Sequence, residues 1–296
     1  MRDDQQVADD FTYVTHEPTG PLGRYVASIW YARGRLRAPA ERVAPTGSAV
    51  LGLVLGAPIA QVARNGSGDV HLARTGFLLG PDDQPMLNRP LGETWCVGVV
   101  ATPIGCATAF GVDPRVLRGR LVGAEPWAPL RRELLGLDDP GAMIAAVEDV
   151  LRESVAVHEP ALPRCTDAVE SAVAALVADP GRPVADVARE LHLSHAHLDR
   201  GFRRVVGLSP GTFARVTRMR DLLASLDTGR PVGWGQVAAE RGWYDQAHLI
   251  RHFRRHTGTT PTAYVAAYRA VYGDAPTEPG FAPVVNPVQD DPSAGA

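Results

Sequence analysis

The chain contains the segment VARELHLSHAHLDRGFRRVVGLSP at residues 187–210 and a close copy, VAAERGWYDQAHLIRHFRRHTGTTP, at residues 237–261. Both copies contain an Ala-His-Leu triplet, a Phe-Arg-Arg triplet, and a glycine followed two residues later by Ser-Pro or Thr-Pro. A duplicated supersecondary unit constrains the architecture more than an isolated motif does. The pair predicts two related helical units, each carrying arginines at the same place.

The first copy predicts a helix-turn-helix unit. Residues 184–191 have the pattern of a short helix, and a two-residue turn follows it. Ser194 is a good N-cap for a second helix that runs to about Val206, because its hydroxyl can accept a bond from a free backbone amide. Gly207 supplies the left-handed residue that ends this helix.

The second copy predicts the same design with one residue inserted in the turn. Residues 234–241 form the supporting helix, and the turn begins at Gly242. Asp245 caps a second helix that runs to about Thr257, and Gly258 ends it. The two second helices correspond at an offset of 51 and the supporting helices at an offset of 50.

A connecting helix is predicted between the two units, from Pro210 to about Leu226. Sixteen or so residues make a rod of ~25 Å. Successive major-groove faces of DNA lie ~34 Å apart. A stiff helix with a packed unit at each end can span that distance.

Each predicted second helix has an apolar face and a polar, cationic face. Leu198 and Phe202 lie on the apolar face of the first, and Leu249 and Phe253 on that of the second. A cationic stripe opposite an apolar one is typical of a helix that enters a major groove. The candidate DNA contacts are Ser194, His195, Ala196, Asp199, Arg200, Arg203, Arg204, Gln246, Ala247, His248, Arg251, Arg254 and Arg255.

Roughly residues 166–270 resemble the DNA-binding domain of the AraC/XylS family of bacterial transcriptional regulators. Two half-motifs, their separation and their Gly-x-(Ser/Thr)-Pro endings all agree with that family. The matching residues are Ala188, Ser194, Leu198, Arg200, Phe202, Arg203, Gly207, Ser209 and Pro210 in the first unit, Arg215, Arg218 and Arg220 in the connecting helix, and Ala238, Gly242, Trp243, Asp245, Leu249, Arg251, Phe253, Arg254, Gly258, Thr260, Pro261 and Tyr264 in the second unit.

The resemblance implies that both recognition helices enter adjacent major-groove segments on one face of DNA. It places Arg200 and Arg251 where the family contacts bases, and Arg to guanine is the commonest specific contact. The other four arginines of these two helices are better placed for phosphates. Asp199 either accepts from a cytosine amino group or pairs with Arg203 four residues later, and pairing is favoured.

Residues 1–103 predict a β-rich domain. Apolar runs at 25–31, 49–55, 70–74 and 94–100 are mostly bounded by Gly, Pro, Asn or Asp, which is typical of short strands in a barrel or sandwich. From Pro103 the pattern becomes helical. The fold class is therefore α+β, with a β-rich N-terminal domain and trailing helices, followed by an all-α domain. The N-terminal half also resembles the β-barrel-like, cupin-like sensor domains that accompany this DNA-binding domain in the family, and the resemblance implies the same architecture here.

Four segments follow from these patterns. The sensor or dimerisation domain spans residues 1–158, a proline-containing linker spans 159–165, and the double helix-turn-helix domain spans 166–272. Residues 273–296 are rich in Pro and Asp and are expected to be a disordered acidic tail.

The spacing of histidines in the N-terminal domain favours a binding or dimerisation module over an enzyme. Metal-dependent enzymes of this barrel type use a His-x-His motif with a carboxylate, whereas the histidines of the first 160 residues are widely spaced. Histidines spaced like metal ligands occur at His195 and His197 and again at His248, His252 and His256, but no Cys, Asp or Glu completes either set, so a metal site is not expected. No cofactor, metal site or catalytic residue is predicted. Trp30, Tyr31, Phe77 and Trp95 are candidates for lining an apolar effector pocket.

Charge and composition agree with a DNA-binding protein. Residues 161–273 carry a net charge of +5 and residues 1–160 a net charge of −4, so the positive charge coincides with the repeat. The polar, acidic N-terminal residues are not expected to act as a signal peptide, and a reducing cytoplasm, with association with the nucleoid, is the expected location. The predicted partners are double-stranded DNA, a small-molecule effector, a second copy of the chain, and RNA polymerase in the case of an activator. The alternative is an enzyme that uses its helical domain for association.

Overall fold

The computed structural model describes residues 4–8, 11–63, 70–273 and 281–284. The N-terminal domain is built from two antiparallel sheets. One has the order β1-β2-β3-β10-β5-β8-β11, and the other contains β4-β9-β6-β7. Their strands are β1 (Asp4–Ala8), β2 (Phe11–His16), β3 (Val26–Gly34), β4 (Glu41–Val43), β5 (Val50–Val54), β6 (Ile59–Ala63), β7 (Val70–Ala73), β8 (Gly76–Leu79), β9 (Met86–Pro90), β10 (Thr94–Ala101) and β11 (Leu121–Gly123).

Two antiparallel sheets that face each other confirm the predicted β-rich, barrel-like N-terminal domain. Strands β3, β5, β7 and β10 coincide with the four apolar runs in the sequence. The other strands are shorter or less apolar. Pairing with neighbouring strands stabilises them, and the sequence of a single strand does not show which strand will be its neighbour.

Two aromatic rings fill the space between the sheets. Trp30, Gly98, Gly52 and Phe77 stand in one row across β3, β10, β5 and β8. The Trp30 ring lies over Gly98 and the Phe77 ring over Gly52, so closely that a Cβ atom would lie 2.1 Å and 2.4 Å from the respective rings. The two glycines make room for the rings, which pack with Met86 from the facing sheet.

Helices cover the other face of the larger sheet. They are α1 (Cys106–Phe110), α2 (Pro114–Leu117), α3 (Ala128–Leu134) and α4 (Pro140–His158). Met143, Val147 and Leu151 recur on one side of α4 and are fully buried, because that side packs on β3 and α1. The periodic apolar positions of this segment therefore form the core that the sequence predicted.

The connection between the domains is short and well held. A 3-10 turn (Glu159–Ala161) leads into α5 (Thr166–Ala178). Arg24 donates to Glu170 at 2.7 Å and to Asp167 at 2.6 Å, and the Tyr25 hydroxyl donates to Glu159 at 2.7 Å. These contacts join β-domain residues to the linker and to the first helix of the second domain.

The C-terminal domain consists of helices joined by turns and short loops. Its first unit shares one continuous core with the N-terminal domain, whereas the second has a core of its own. No helix among the described residues is both long and apolar enough to cross a membrane. The helices after α5 are α6 (Val184–Glu190), α7 (His195–Val205), α8 (Pro210–Ala224), α9 (Trp234–Glu240), α10 (Gln246–Thr257) and α11 (Pro261–Tyr272).

Part of the predicted disordered tail is a strand. Strand β12 (Phe281–Pro283) pairs antiparallel with β4 of the N-terminal domain, and Val284 is buried. The expectation of disorder was wrong for these residues, because an edge strand far away in sequence supplies the hydrogen bonds that the tail lacks alone. The rest of the tail lies outside the described residues.

Candidate nucleic-acid interface

The first recognition helix, α7, begins and packs as the sequence predicted. The Ser194 hydroxyl accepts from the amide of His197 at 3.2 Å, which satisfies a backbone donor that the helix leaves free. Leu198 and Phe202 are buried, and the Phe202 ring lies 5.7 Å from that of Phe213 in α8. Gly207 takes a φ of 83°, as expected for the residue that ends the helix.

The opposite face of α7 is open to solvent. Ser194, His195, Ala196, Arg200, Arg203 and Arg204 are exposed, and Asp199 is half-buried. The Asp199 carboxylate accepts from Nε of Arg203 at 2.8 Å, so the favoured i,i+4 pairing is present. Arg200 is exposed on the same face of α7.

The second recognition helix, α10, repeats this arrangement. Asp245 accepts from the amide of His248 at 2.6 Å, and Gly258 ends the helix with a φ of 77°. The Phe253 ring is buried against Trp234 and Tyr264 at centroid distances of 5.8 Å and 5.4 Å. The outward residues are Gln246, Ala247, Arg251, Arg254 and Arg255, all exposed, and His248, half-buried.

Two histidines of α10, His252 and His256, pack within the fold and do not lie on the outward face of the helix. Nδ1 of His252 accepts from the Trp243 indole at 3.4 Å, and burial lowers the pKa of His252 to about 4, with a further contribution from His248. His256 is buried, and its pKa falls to about 3, through burial first and then the charge of Arg220. No group of three or more His, Cys, Asp or Glu in the described part of the chain could hold a metal ion.

One arginine holds the two units in a fixed relation. Arg218 in α8 donates to the carbonyl of Gly242 at 3.3 Å and to the carbonyl of Pro180 at 3.0 Å, and its guanidinium lies 5.6 Å from the Trp243 ring centroid. Gly242 lies in the turn of the second unit, and Pro180 precedes the first unit. The sequence placed Arg218 in the family motif but carried no signal of this bridging role.

The N-terminal domain touches the C-terminal ends of both recognition helices. Arg255 donates to Asp83 through Nε at 2.7 Å and through Nη2 at 2.9 Å. A Cβ atom on Gly207 would lie 2.7 Å from Pro81, so the same loop also meets the end of α7. The sequence pattern places Arg255 among the candidate DNA contacts and gives no sign of Asp83, because nothing in the local pattern connects residues 172 positions apart.

The electrostatics of this contact favour an ionised Asp83. Burial raises the pKa of Asp83, but the hydrogen bond from Arg255 and the charges of Arg255, Arg215 and Arg118 outweigh it, so the pKa lies below its ordinary value. The carboxylate is 13% exposed and Arg255 is 53% exposed. The ion pair is therefore present across the neutral pH range.

The four predicted effector-pocket residues do not line one pocket. Trp30 and Phe77 fill the space between the sheets, whereas Tyr31 and Trp95 lie on the opposite face of the larger sheet, on the side of the helices. Arg33 stacks over the Trp95 ring at 4.8 Å. The prediction of a shared pocket was wrong, because alternate residues of a strand point to opposite faces.

Comparison with protein families finds matches in both domains. The model of the family described as "Helix-turn-helix domain" matches residues 187–267, and that of "Domain of unknown function (DUF6597)" matches residues 14–123. A search of curated proteins found no match.

Solved structures similar to this chain include two of ToxT from Vibrio cholerae. Unsaturated fatty acid bound wild-type ToxT is 14% identical over 94% of this chain and 100% of that one, with a TM-score of 0.46. ToxT bound to (E)-4-(8-methylnaphthalen-1-yl)but-3-enoic acid is 12% identical over 87% and 99%, with a TM-score of 0.45. Procruciferin from Brassica napus is 14% identical over 33% and 27%, with a TM-score of 0.25.

The match over residues 187–267 covers both predicted units and the helix that connects them. The C-terminal domain thus contains two helix-turn-helix units joined by α8, as its sequence predicted.

Proposed function

We propose that this chain, a DNA-binding transcriptional regulator with an AraC-type helix-turn-helix domain, inserts α7 and α10 into two successive major-groove segments of one DNA site. The observation that carries the proposal is the arrangement of the two helices. Each is capped, buried on one side and cationic on the other, and α8 with Arg218 fixes the distance between them.

Roles within the interface follow from position and from existing partners. Arg200 and Arg251 are exposed, and we assign them to base edges. Arg203 donates to Asp199 and lies about one helical turn after Arg200. We therefore assign Arg203, together with Arg204 and Arg254, to the phosphate backbone. Because α7 carries Asp199 where α10 carries Ile250, the two half-sites should differ in sequence.

The N-terminal domain is proposed to control this interface. Its residues 81–85 reach both recognition helices, through Pro81 at Gly207 and through Asp83 at Arg255. A ligand or partner that moves this loop would change how the two helices are presented, which is the differential contact that a regulatory mechanism needs. Homodimerisation, contact with RNA polymerase and a purely regulatory, non-enzymatic role remain predictions from the sequence.

Selection of binding sites from a randomised DNA library tests the proposal directly. The full chain should select an asymmetric site with two half-sites about one helical turn apart. Arg200→Ala should relax preference in one half-site and Arg251→Ala in the other, each at a cost of ~1–3 kcal/mol. Arg152→Ala is the matched control, since Arg152 is an exposed arginine paired within α4 of the N-terminal domain.

Two outcomes would contradict this assignment. Affinity that falls equally on every DNA sequence would make Arg200 and Arg251 phosphate contacts. Binding that does not weaken with added salt would contradict DNA binding through these cationic faces altogether, because phosphate contacts release counterions.

A further inference from the structure

The two helix-turn-helix units differ in how they are joined to the N-terminal domain. The first unit shares one continuous apolar core with that domain, so separating the two would expose buried side chains of both. The second unit has a separate core, and Ala44 packs against its margin from the N-terminal domain. The second unit can therefore move relative to the N-terminal domain at a lower cost than the first.

Strand β4 of the N-terminal domain contacts the second unit directly. The Tyr272 hydroxyl, at the end of α11, donates to the buried carboxyl group of Glu41. At the next residue of the strand, a Cβ atom on Gly258 would lie 3.0 Å from Cδ of Arg42, so the end of α10 also touches β4. Two successive residues of one short strand thus contact the ends of both α10 and α11.

The chain beyond α11 covers the edge of the same strand. Strand β12 pairs antiparallel with β4, with Pro283 opposite Glu41. The amide of Val284 donates to the carbonyl of Ala40 at 2.8 Å, and the Val284 side chain is buried. Because β12 lies next to α11 as well as β4, a displacement of α11 would disturb both the Tyr272 bond and the strand pairing.

The closed position of the second unit occupies one of its cations. With α11 at Glu41 and α10 at Arg42, Arg255 lies at Asp83 and donates two hydrogen bonds to its carboxylate. A guanidinium that already binds a carboxylate must give up those bonds before it can bind a phosphate. Closure on β4 therefore opposes the DNA contact that the sequence predicts for Arg255.

We propose that Tyr272 and β12 form a latch on β4, which holds the second helix-turn-helix unit in a restrained position and opens when the unit engages DNA. Tyr272 and Glu41 are positioning residues, because they act on DNA binding through the placement of α10. The first unit stays fixed to the N-terminal domain, and the second moves to reach its half-site. The effect on DNA binding rests on the proposed function, whereas the closing of the latch does not.

Hydrogen exchange of the full chain without DNA tests the latch. Tyr272→Phe removes one hydroxyl and keeps the ring, whose centroid lies 5.2 Å from that of Tyr268. Amides of β4 and α11 should then exchange about fivefold faster, as expected for the loss of one hydrogen bond, and those of α7 should not change. Tyr244→Phe is the matched control, since Tyr244 belongs to the second unit and is 92% exposed.

A second variant tests β12 and leaves α11 unaltered. Val284→Pro removes the amide that donates to Ala40 and should also speed exchange in β4, because proline cannot donate a strand hydrogen bond. DNA affinity is measured by fluorescence anisotropy at one salt concentration. Both variants should bind DNA with two half-sites about fivefold more tightly and should bind DNA with only the Arg200 half-site as the unsubstituted chain does.

The results separate the latch from the proposed function. Unchanged exchange in β4 and α11 in both variants would overturn the latch. Faster exchange with equal or weaker binding to two half-sites, in variants with unaltered circular dichroism, would overturn the restraint on DNA binding. Faster exchange in a chain that binds no DNA would support the latch and contradict the proposed function.

Discussion

Replacing Asp83 by asparagine removes the negative charge that holds Arg255 and keeps the size of the side chain. In the structure the carboxylate receives two hydrogen bonds from Arg255, at 2.7 Å and 2.9 Å, and lies 3.9 Å from a nitrogen of Arg215 in α8. Asp83 belongs to the N-terminal domain, whereas both arginines belong to the DNA-binding domain. The substitution therefore tests whether this contact restrains the second recognition helix.

The magnitude follows from the exposure of the two partners. Ion pairs between exposed side chains contribute about 0.2–1 kcal/mol, whereas hydrogen bonds to charged groups contribute about 1.5–3 kcal/mol. The Asp83 carboxylate is nearly buried, but Arg255 is half exposed, so the pair should be worth about 1–1.5 kcal/mol. If DNA binding requires Arg255 to leave Asp83, the substitution should raise DNA affinity by about fivefold to tenfold, since 1.4 kcal/mol corresponds to a factor of ten.

The assay is fluorescence anisotropy with labelled DNA at one fixed salt concentration. The same substitution made together with Arg255→Ala should have no effect, because the charge it releases is then absent, and such a double-mutant cycle isolates the pair. Glu93→Gln is the matched control, because Glu93 pairs with the exposed Arg33 inside the N-terminal domain. Unchanged or weaker DNA binding by Asp83→Asn, in a chain with an unaltered melting temperature, would refute the idea that this contact restrains DNA binding.

Three further predictions concern stability and geometry. Gly98→Ala should destabilise the N-terminal domain by about 2 kcal/mol or more in denaturant unfolding, since its Cβ would collide with the Trp30 ring, and a folded variant of unchanged stability would contradict that packing. Arg218→Ala should weaken discrimination between DNA sites of different half-site spacing, with a loss of about 1–2 kcal/mol of stability, as measured by site selection and urea unfolding; retained spacing preference would argue against its bridging role. His256 is neutral in the folded chain, where Arg220 disfavours and Asp83 favours its protonation, so its contribution to the free energy of unfolding should be fully present above about pH 6.5 and decline as pH falls towards 3, by about 2 kcal/mol at pH 5. His256→Gln should remove about 2 kcal/mol of the decline between pH 7 and pH 5 in urea unfolding and leave the part that comes from His252, and an identical pH dependence would show that other groups cause the decline.

Much of the DNA-binding domain was predictable because its signals are local. Ser194 and Asp245 cap helices whose amides lie three residues away, and Gly207 and Gly258 end them within the same turn of chain. The pairing of Asp199 with Arg203 likewise spans one helical turn. Each local feature occurs twice, once in each unit, so the sequence of residues 166–272 predicts their architecture.

The N-terminal domain was less predictable because its strands depend on their partners. Alternation along β3 separates Trp30 from Tyr31, and only the register across β10, β5 and β8 shows that Trp30 and Phe77 cover two glycines. Their aromatic character suggested a pocket lining. In the folded protein the rings occupy that space themselves.

The sequence by itself determined that two helix-turn-helix units exist, where they begin and end, and which faces they expose, since these properties depend on neighbours within a turn or two of helix. Only the tertiary structure decided which residues of the two domains contact each other. Asp83 meets Arg255 across 172 positions, Arg24 meets Glu170 across 146, and β12 finds β4 from the far end of the chain. Such contacts depend on which folded surfaces meet, and the pattern of residues close in sequence does not show which surfaces those are.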